Sequence, residues 1–409
     1  MRMTFKKCLC TAVLLGGGLL ASAQTFTYDV RFDYGFDNRE FDVRNNRYAS
    51  SRTLHAARLT PSVGLLFPQD RSITHSVHLG ADLLKNMGER RTPYTSDGIE
   101  NIGLLREMTL WYDLDARLRQ TRWTGLAGIF PARHSVFGDL GDGSDPLSGR
   151  NLSTAFLSDA NRFFDNNMEG LLVKAVRAHA RYEVGLDWMG MPGIGRREQF
   201  RVLSFGKGLV TERFYAGWAL QVHHYAGSEN VRGVVDDILL SPFLELDLTP
   251  RRSEIRLFTL SVAWLESFQR DRQQDAAMRR SGGVQGTADF RWRALGLRNE
   301  AFFGGDLLPL YGLLSPEGTP YGTDLYRGNP FFRAGGPYDR AELYWQPVVS
   351  SFLDLRLGAV LHFADGGFQG WQQRFTVRFD LEKARASRSR RDRSPQSRMR
   401  APSLFALIL

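Results

Sequence analysis

The sequence predicts an all-β protein, a transmembrane antiparallel up-and-down β-barrel of about sixteen strands that follows a cleaved signal peptide. Three observations carry this reading. A two-residue alternation of apolar and polar side chains recurs from residue 26 to residue 381, the links between alternating segments are by turns short and long, and the first two dozen residues have the make-up of an export signal.

In the export signal, Arg2, Lys6 and Lys7 precede an apolar stretch over residues 8–20, and Ala21-Ser22-Ala23 supplies a small-residue cleavage site. Residues 1–23 are therefore read as the signal peptide and Gln24 as the first mature residue. The stretch is shorter than the ~20 apolar residues a spanning helix needs. Both cysteines, Cys8 and Cys10, fall inside it. The mature chain is thus expected to hold no disulfide, no thiolate metal site and no cysteine nucleophile.

A formal net charge of +9 points at first to nucleic acid or an acidic surface. The excess is terminal, however. Arg2, Lys6 and Lys7 lie in the signal, and from Lys383 onward eight basic residues face only Asp392, so residues 24–382 are close to neutral. Nucleic-acid binding loses its support. Residues 383–409, rich in Arg and Ser, read as a basic disordered tail beyond a barrel of residues 24–382.

The first strand sets the pattern. Phe26, Tyr28, Val30, Phe32, Tyr34 and Phe36 alternate with Thr27, Asp29, Arg31, Asp33 and Gly35, an aromatic face against a charged one. The same pattern returns over residues 57–67, 76–83, 108–115, 123–131, 169–176 and 181–190, then more weakly over 198–205. It continues over 214–224, 240–248, 256–265, 284–292, 295–303, 338–345, 353–363 and 371–381. That makes sixteen strands, or fourteen if the weak segment is miscounted; either is the even number that bacterial barrels use.

Short links are expected near 68–73, 117–122, 177–180, 206–212, 249–253, 293–295 and 347–351, and long ones at 42–52, 85–103, 132–167, 269–283 and 304–337. This asymmetry is that of periplasmic turns and external loops. A soluble sandwich or lipocalin-like barrel also alternates, but it would not carry charges at mid-strand on the face turned from solvent, nor aromatics gathered at strand ends.

The charged face gives the candidate pore lining: Asp29, Arg31, Asp33, Arg58, Asp82, Arg181, Glu183, Asp187, Asp289, Arg291, Arg298, Glu300, Arg340, Glu342, Arg356, Arg374 and Arg378. The signs are mixed, so they set either a transverse field or a ladder of ion pairs, and strong selectivity for one sign of ion is not expected. Sixteen strands enclose more than side chains fill, which makes an aqueous channel the default.

The 132–167 loop, with Asp139, Asp142, Asp145, Asp159 and Asp165 beside Phe137, Leu140, Phe156, Phe163 and Phe164, reads as a constriction folded into the barrel, with an extracellular cap as the alternative. The Asp139–Asp145 cluster lacks EF-hand spacing, and no metal or cofactor is assigned. In the 304–337 loop, Tyr321, Asp324, Tyr326 and Phe331 suit either glycan contact or ordinary loop packing.

No nucleophile motif accompanies His78, His223 or His362, and the adjacent His223 and His224 must point to opposite faces. An enzyme is therefore not expected, a lipid-modifying one being the least favoured alternative.

Ala127-Gly128-Ile129-Phe130-Pro131, Phe164-Asp165-Asn166-Asn167-Met168-Glu169-Gly170 and Gly185-Leu186-Asp187-Trp188 resemble porin-like outer-membrane barrel proteins of Bacteroidota. The resemblance covers most of residues 24–382. It implies a channel in the bacterial outer membrane, passing small hydrophilic solutes by diffusion. The expected partners are the surrounding lipid and lipopolysaccharide, the barrel assembly machinery and, by analogy of fold, two further copies in a homotrimer. A surface-binding or structural barrel with long loops contacting glycans or partners is the alternative. The chain departs from such barrels in running about 30 residues past its last aromatic-rich strand, Phe375 to Phe379.

Overall fold

Each alternating segment becomes a strand, because a strand that is greasy on one side only is buried correctly only in a sheet that separates two environments. The computed structural model describes residues 25–384, apart from 42–45, 88–103, 140, 142, 231, 316–317 and 319. The first eight strands are β1 (Thr25–Phe41), β2 (Arg52–Pro68), β3 (Ile73–Asn86), β4 (Leu105–Leu118), β5 (Thr121–Pro131), β6 (Asn167–Arg177), β7 (Ala180–Gly190) and β8 (Gln199–Thr211). The second eight are β9 (Phe214–Tyr225), β10 (Val235–Asp247), β11 (Ile255–Asp271), β12 (Arg279–Trp292), β13 (Leu295–Gly304), β14 (Tyr338–Trp345), β15 (Leu353–Ala364) and β16 (Gly367–Asp380).

Every strand pairs antiparallel with its neighbours in sequence, and β1 pairs with β16, so the sixteen strands form a closed up-and-down barrel. Closure leaves no strand edge with unmet backbone groups, which a wall in lipid requires.

Two sequence expectations about links are corrected. Residues 206–211 are strand and not link, since β8 runs on to Thr211 and meets β9 across residues 212–213. The 269–283 link shrinks to 272–278, because β11 and β12 stay paired out to Gln269 and Arg279. Polar contacts support that extension, with Arg280 bonded to Glu266 and Arg272 to Asp236 at 2.8 Å. On the long-loop side β15 and β16 turn in two residues, with Asp365 and Gly366 at φ 53° and 76°, as a primed hairpin turn demands.

The three quoted motifs lie side by side. Gly128 of β5 is the cross-strand partner of Gly170 of β6, which in turn faces Asp187 of β7. Both glycines have left-handed backbones, φ 121° and 152°, and a Cβ on either would sit 2.3 Å from a neighbouring carbonyl oxygen. Only glycine fits this close strand contact.

The outer face is apolar. Val63, Leu79, Leu110, Leu171, Val173, Val184 and Val262 are exposed along it, and Phe26, Trp123, Tyr182, Trp292 and Trp345 gather where strands meet the short turns. An apolar band with an aromatic rim is the surface a bilayer matches. β1 begins and β16 ends at the short-turn side, where residues 381–384 add one helical turn and Glu382 donates its backbone N–H to Asp29. The signal peptide and the tail beyond residue 384 lie outside the described residues.

Val173→Arg, at mid-band, is expected to destabilise the barrel by about 2–4 kcal/mol, against under about 1 kcal/mol for Val348→Arg in a short turn. Equilibrium unfolding in liposomes measures both, and equal costs would contradict the placement of the band.

Candidate functional site

The inner face is where the chemistry lies, and all seventeen predicted charges point to it. Most are paired along or across the wall. Asp33 takes Arg31 and Arg378, each at 2.9 Å, Arg58 meets Asp82 at 2.8 Å, and Arg181 meets Glu183 at 3.2 Å. Arg298 lies 3.5 Å from Asp289, while Glu342 collects Arg356 at 2.8 Å and Arg340 at 3.2 Å. Asp187 pairs with Arg201 and Asp29 with Arg133, and Arg291 reaches Gln346.

The remaining demand is met by the segment between β5 and β6. Ser135 Oγ and the Val136 N–H donate to Glu183 at 2.6 and 2.8 Å. Arg150 bonds Glu245 and reaches Asp247 at 2.7 Å; Glu245 also holds Lys207 at 2.6 Å, in a cluster where Arg150, Lys207 and Glu245 are almost wholly buried. Further along, Ser153 donates to Gln285 at 2.7 Å and the Thr154 N–H to Glu300 at 3.0 Å.

Ser158 then caps a short helix α1 (Asp159–Phe164) by accepting the Asn161 N–H, which aims Asp159 at the opposite wall. There Asp159 pairs with Arg374 at 2.8 Å and Arg340 at 2.9 Å. Arg58 closes the circuit by donating to the Phe163 and Phe164 carbonyls at the end of α1. The segment thus reaches across the barrel from β7, β10 and β13 to β14 and β16.

Of the five loop carboxylates, Asp159 is the crossing point and Asp139 sits 3.9 Å from Arg378 and 4.0 Å from Arg31. Asp145 is exposed and accepts the Leu147 N–H, Asp165 is the C-cap of α1, and Asp142 lies outside the described residues. Asp139 accepts the Gly141 N–H, and among the described residues no group of acids and histidines could hold a metal ion. Burial alone would raise the Asp159 carboxyl, but Arg374, Arg340 and Arg162 outweigh it and hold it far below the usual carboxylate range.

Counting strands suggests a wet lumen throughout, and here the structure differs. Inner-face Leu203, Phe205, Leu239, Phe243, Leu265 and Phe302 form one dry core with Phe137, Leu152 and Phe156 of the first segment and Leu310, Tyr321, Leu325, Phe331 and Phe332 of the 305–337 segment. The two segments bond directly, Asn329 N–H to Thr154 and Ser158 N–H to Arg327. Tyr321, Tyr326 and Phe331 are at most 3% exposed, so they are packing residues and not a stacking platform for glycans. His223 approaches the Leu325 carbonyl, and His362 lies between Tyr338 and Gln372, so both serve the same core.

Space remains along β14–β16 and β1. A cavity of about 460 Å³ opens at the loop end, with Arg39, Arg52, Asp159, Arg333 and Arg340 in its lining. Below it, the Arg356, Arg374 and Arg378 side chains keep 31, 22 and 40% of their surface accessible. Arg39, Arg52, Arg150, Lys207 and Arg333 are inner-face or lumenal residues that the sequence pattern left out. Arg39 extends the β1 alternation beyond Phe36 and Lys207 falls in the misread link, whereas Arg150 and Arg333 lie in loops, where no periodicity marks them.

No protein-family model matches the sequence, and no curated protein matches it either. Among solved structures the chain is similar to a triple mutant of the Rhodopseudomonas blastica porin, at 10% identity and a TM-score of 0.42, over 87% of this chain and 100% of that one. It is also similar to OprB of Pseudomonas putida, at 10% identity and a TM-score of 0.44, over 89% of this chain and 96% of the other.

Glu245→Ala would leave Arg150 and Lys207 buried around a lost carboxylate, an expected cost of about 3–5 kcal/mol. Arg150→Ala, which keeps the Lys207–Glu245 pair, should cost less. Limited proteolysis in detergent checks this through faster cutting within residues 132–166, and equal protection of both variants would contradict the tether.

Because its folded pKa is depressed, Asp159 contributes stability above its unfolded pKa and loses it only as pH falls through the lower folded value. Protease protection of the segment should therefore stay level from pH 7 to about pH 4, and Asp159→Asn should lower it throughout that range.

Proposed function

We propose that the protein is an outer-membrane channel through which small hydrophilic solutes diffuse passively. The observation that carries this reading is the closed barrel whose outer face is apolar and whose inner face is ionic, crossed by the 132–166 segment, with partly accessible arginines at Arg356, Arg374 and Arg378. A wall of this polarity suits lipid outside and water inside. The crossing segment narrows the route to the side of β14–β16 and β1. Residence in a bacterial outer membrane, assembly by the barrel machinery and a homotrimeric state belong to this proposal.

A second reading, a surface-binding barrel with a shut lumen, draws on the dry core, which runs from β4–β6 past β8–β13 to Tyr338 of β14 and Phe41 of β1.

Planar-bilayer recording of the refolded chain separates the two. Discrete conductance steps are expected, and they should grow when Asp159→Asn loosens the crossing. A protein that shows heat-modifiable folded migration on gels but no steps would sink the channel and favour the shut barrel.

A further inference from the structure

We propose that the outer face of β10–β12 at the loop end binds a phosphate-bearing lipid headgroup, held between the guanidinium groups of Arg270 and Arg280. The inference rests on the membrane placement proposed above and not on conduction.

Height along the wall decides what these side chains meet. On β12 the outer-face positions run from Trp292 at the short-turn rim through Phe290 and Val284 to Gly282 and Arg280. Ten residues separate Trp292 from Gly282, and twelve separate it from Arg280. At ~3.3 Å per residue and a tilt of ~40°, those spans rise by about 25 and 30 Å, whereas the apolar band of such a barrel is ~25 Å tall. Gly282 faces Glu266 of β11 across the sheet. Glu266 therefore stands at the upper edge of the band and Arg280 just beyond it, at the level of the headgroups.

The wall fixes Arg280 in one pose. Glu266 points outward yet is 5% exposed, and both its oxygens are taken, one by the Trp264 indole N–H at 2.6 Å and the other by Arg280 Nε. A Cβ at Gly282 would lie 2.5 Å from Glu266 Oε2, so the glycine makes room for the carboxylate. The Arg280 guanidinium lies 5.6 Å from the centre of the Phe268 ring. Held by its Nε edge, it leaves Nη1 and Nη2 without a partner among the described residues, and its side chain is 69% exposed. The ion pair thus spends the inner edge of the guanidinium and leaves its outer edge free. Paired N–H groups of that kind suit a phosphate.

Arg270 shares this face, two residues beyond Phe268, which is the cross-strand partner of Arg280. Such diagonal neighbours are ~7–8 Å apart, so two long side chains can reach one phosphate. Arg270 is loosely held, since its contact to Asp236 of β10 is 3.4 Å long, while Arg272 takes the same carboxylate at 2.8 Å. Leu260, Val262 and Val284, exposed below, give the acyl chains of the same lipid an apolar wall.

The test uses the full chain refolded in neutral detergent. Native mass spectrometry measures its uptake of phosphatidic acid and of diacylglycerol with the same acyl chains, which lacks the phosphate. Phosphatidic acid should bind saturably and about tenfold or more tighter. Arg270→Gln and Arg280→Gln should each weaken it by about fivefold, while Arg196→Gln, which removes an exposed loop charge at the same end, should not. If Arg280→Gln fails to fold, Arg272→Gln, which leaves Asp236 with Arg270, should show a loss at the same surface.

Equal uptake of the two lipids, or uptake indifferent to the rim variants, overturns the site. Displacement of the lipid by inorganic phosphate also overturns it, because it marks a site for a free anion. Flotation with phosphatidylcholine vesicles tests the placement separately. A chain that enters the vesicles but shows no phosphate preference keeps the placement and loses the site, and a chain that enters none loses both.

Discussion

A wall with charged side chains on its inner face must find a partner for each of them, and in this protein the partner for much of the wall is one segment of its own chain. Glu183, Glu245 and Glu300, on β7, β10 and β13, are met by Val136, Arg150 and Thr154, and Arg340 and Arg374 on the far side are met by Asp159. Removing either side of such a buried pair strands the other in a medium that solvates it poorly. The path of residues 132–166 is therefore dictated by the wall, and the wall's inner face is tolerable because of that path. Solvent reaches only the charges this arrangement leaves accessible.

The lumen is divided by the chemistry of the strands that face it. On β8–β13, inner positions such as Leu203, Phe243 and Leu265 are apolar and draw the aromatic side chains of two inserted segments into a core like that of a soluble domain. On β14–β16 and β1 the same positions are Arg340, Arg356, Arg374, Arg378 and Asp33, which cannot be covered by hydrocarbon without loss. The same core reaches Phe41 of β1 and Tyr338 of β14 at the loop end, and the partly accessible Arg356, Arg374 and Arg378 lie below it.

The wall was legible in the sequence because a strand with an apolar face and a charged face writes a period of two. β8 was the weakest strand to read because Gly206 and Gly208 flank Lys207, so the apolar side of the alternation vanishes where the inner side carries a cation. The aspartates of the crossing segment could be singled out by kind, but not by role. Asp159 and Arg340 are 181 residues apart, and Arg150 and Glu245 are 95 apart. Contacts of that span leave no periodic trace, and the second inserted segment, with its Tyr321, Tyr326 and Phe331, looked from its composition as fit for the surface as for the interior.

The pairing of β1 with β16 has one more consequence. These are the first and last strands of the chain, so their eleven-residue register, from Arg31 opposite Asp380 to Phe41 opposite Gly370, is the seam at which the wall is sewn shut. Asp33 and Arg378 face each other across it, and Asp139, from the middle of the chain, stands within 4.0 Å of Arg31 on one side and 3.9 Å of Arg378 on the other. The seam is therefore stitched from inside. Joining the two ends of the sheet and seating the inner segment are mutually reinforcing events, so an unfilled barrel would also be one with a weakened seam.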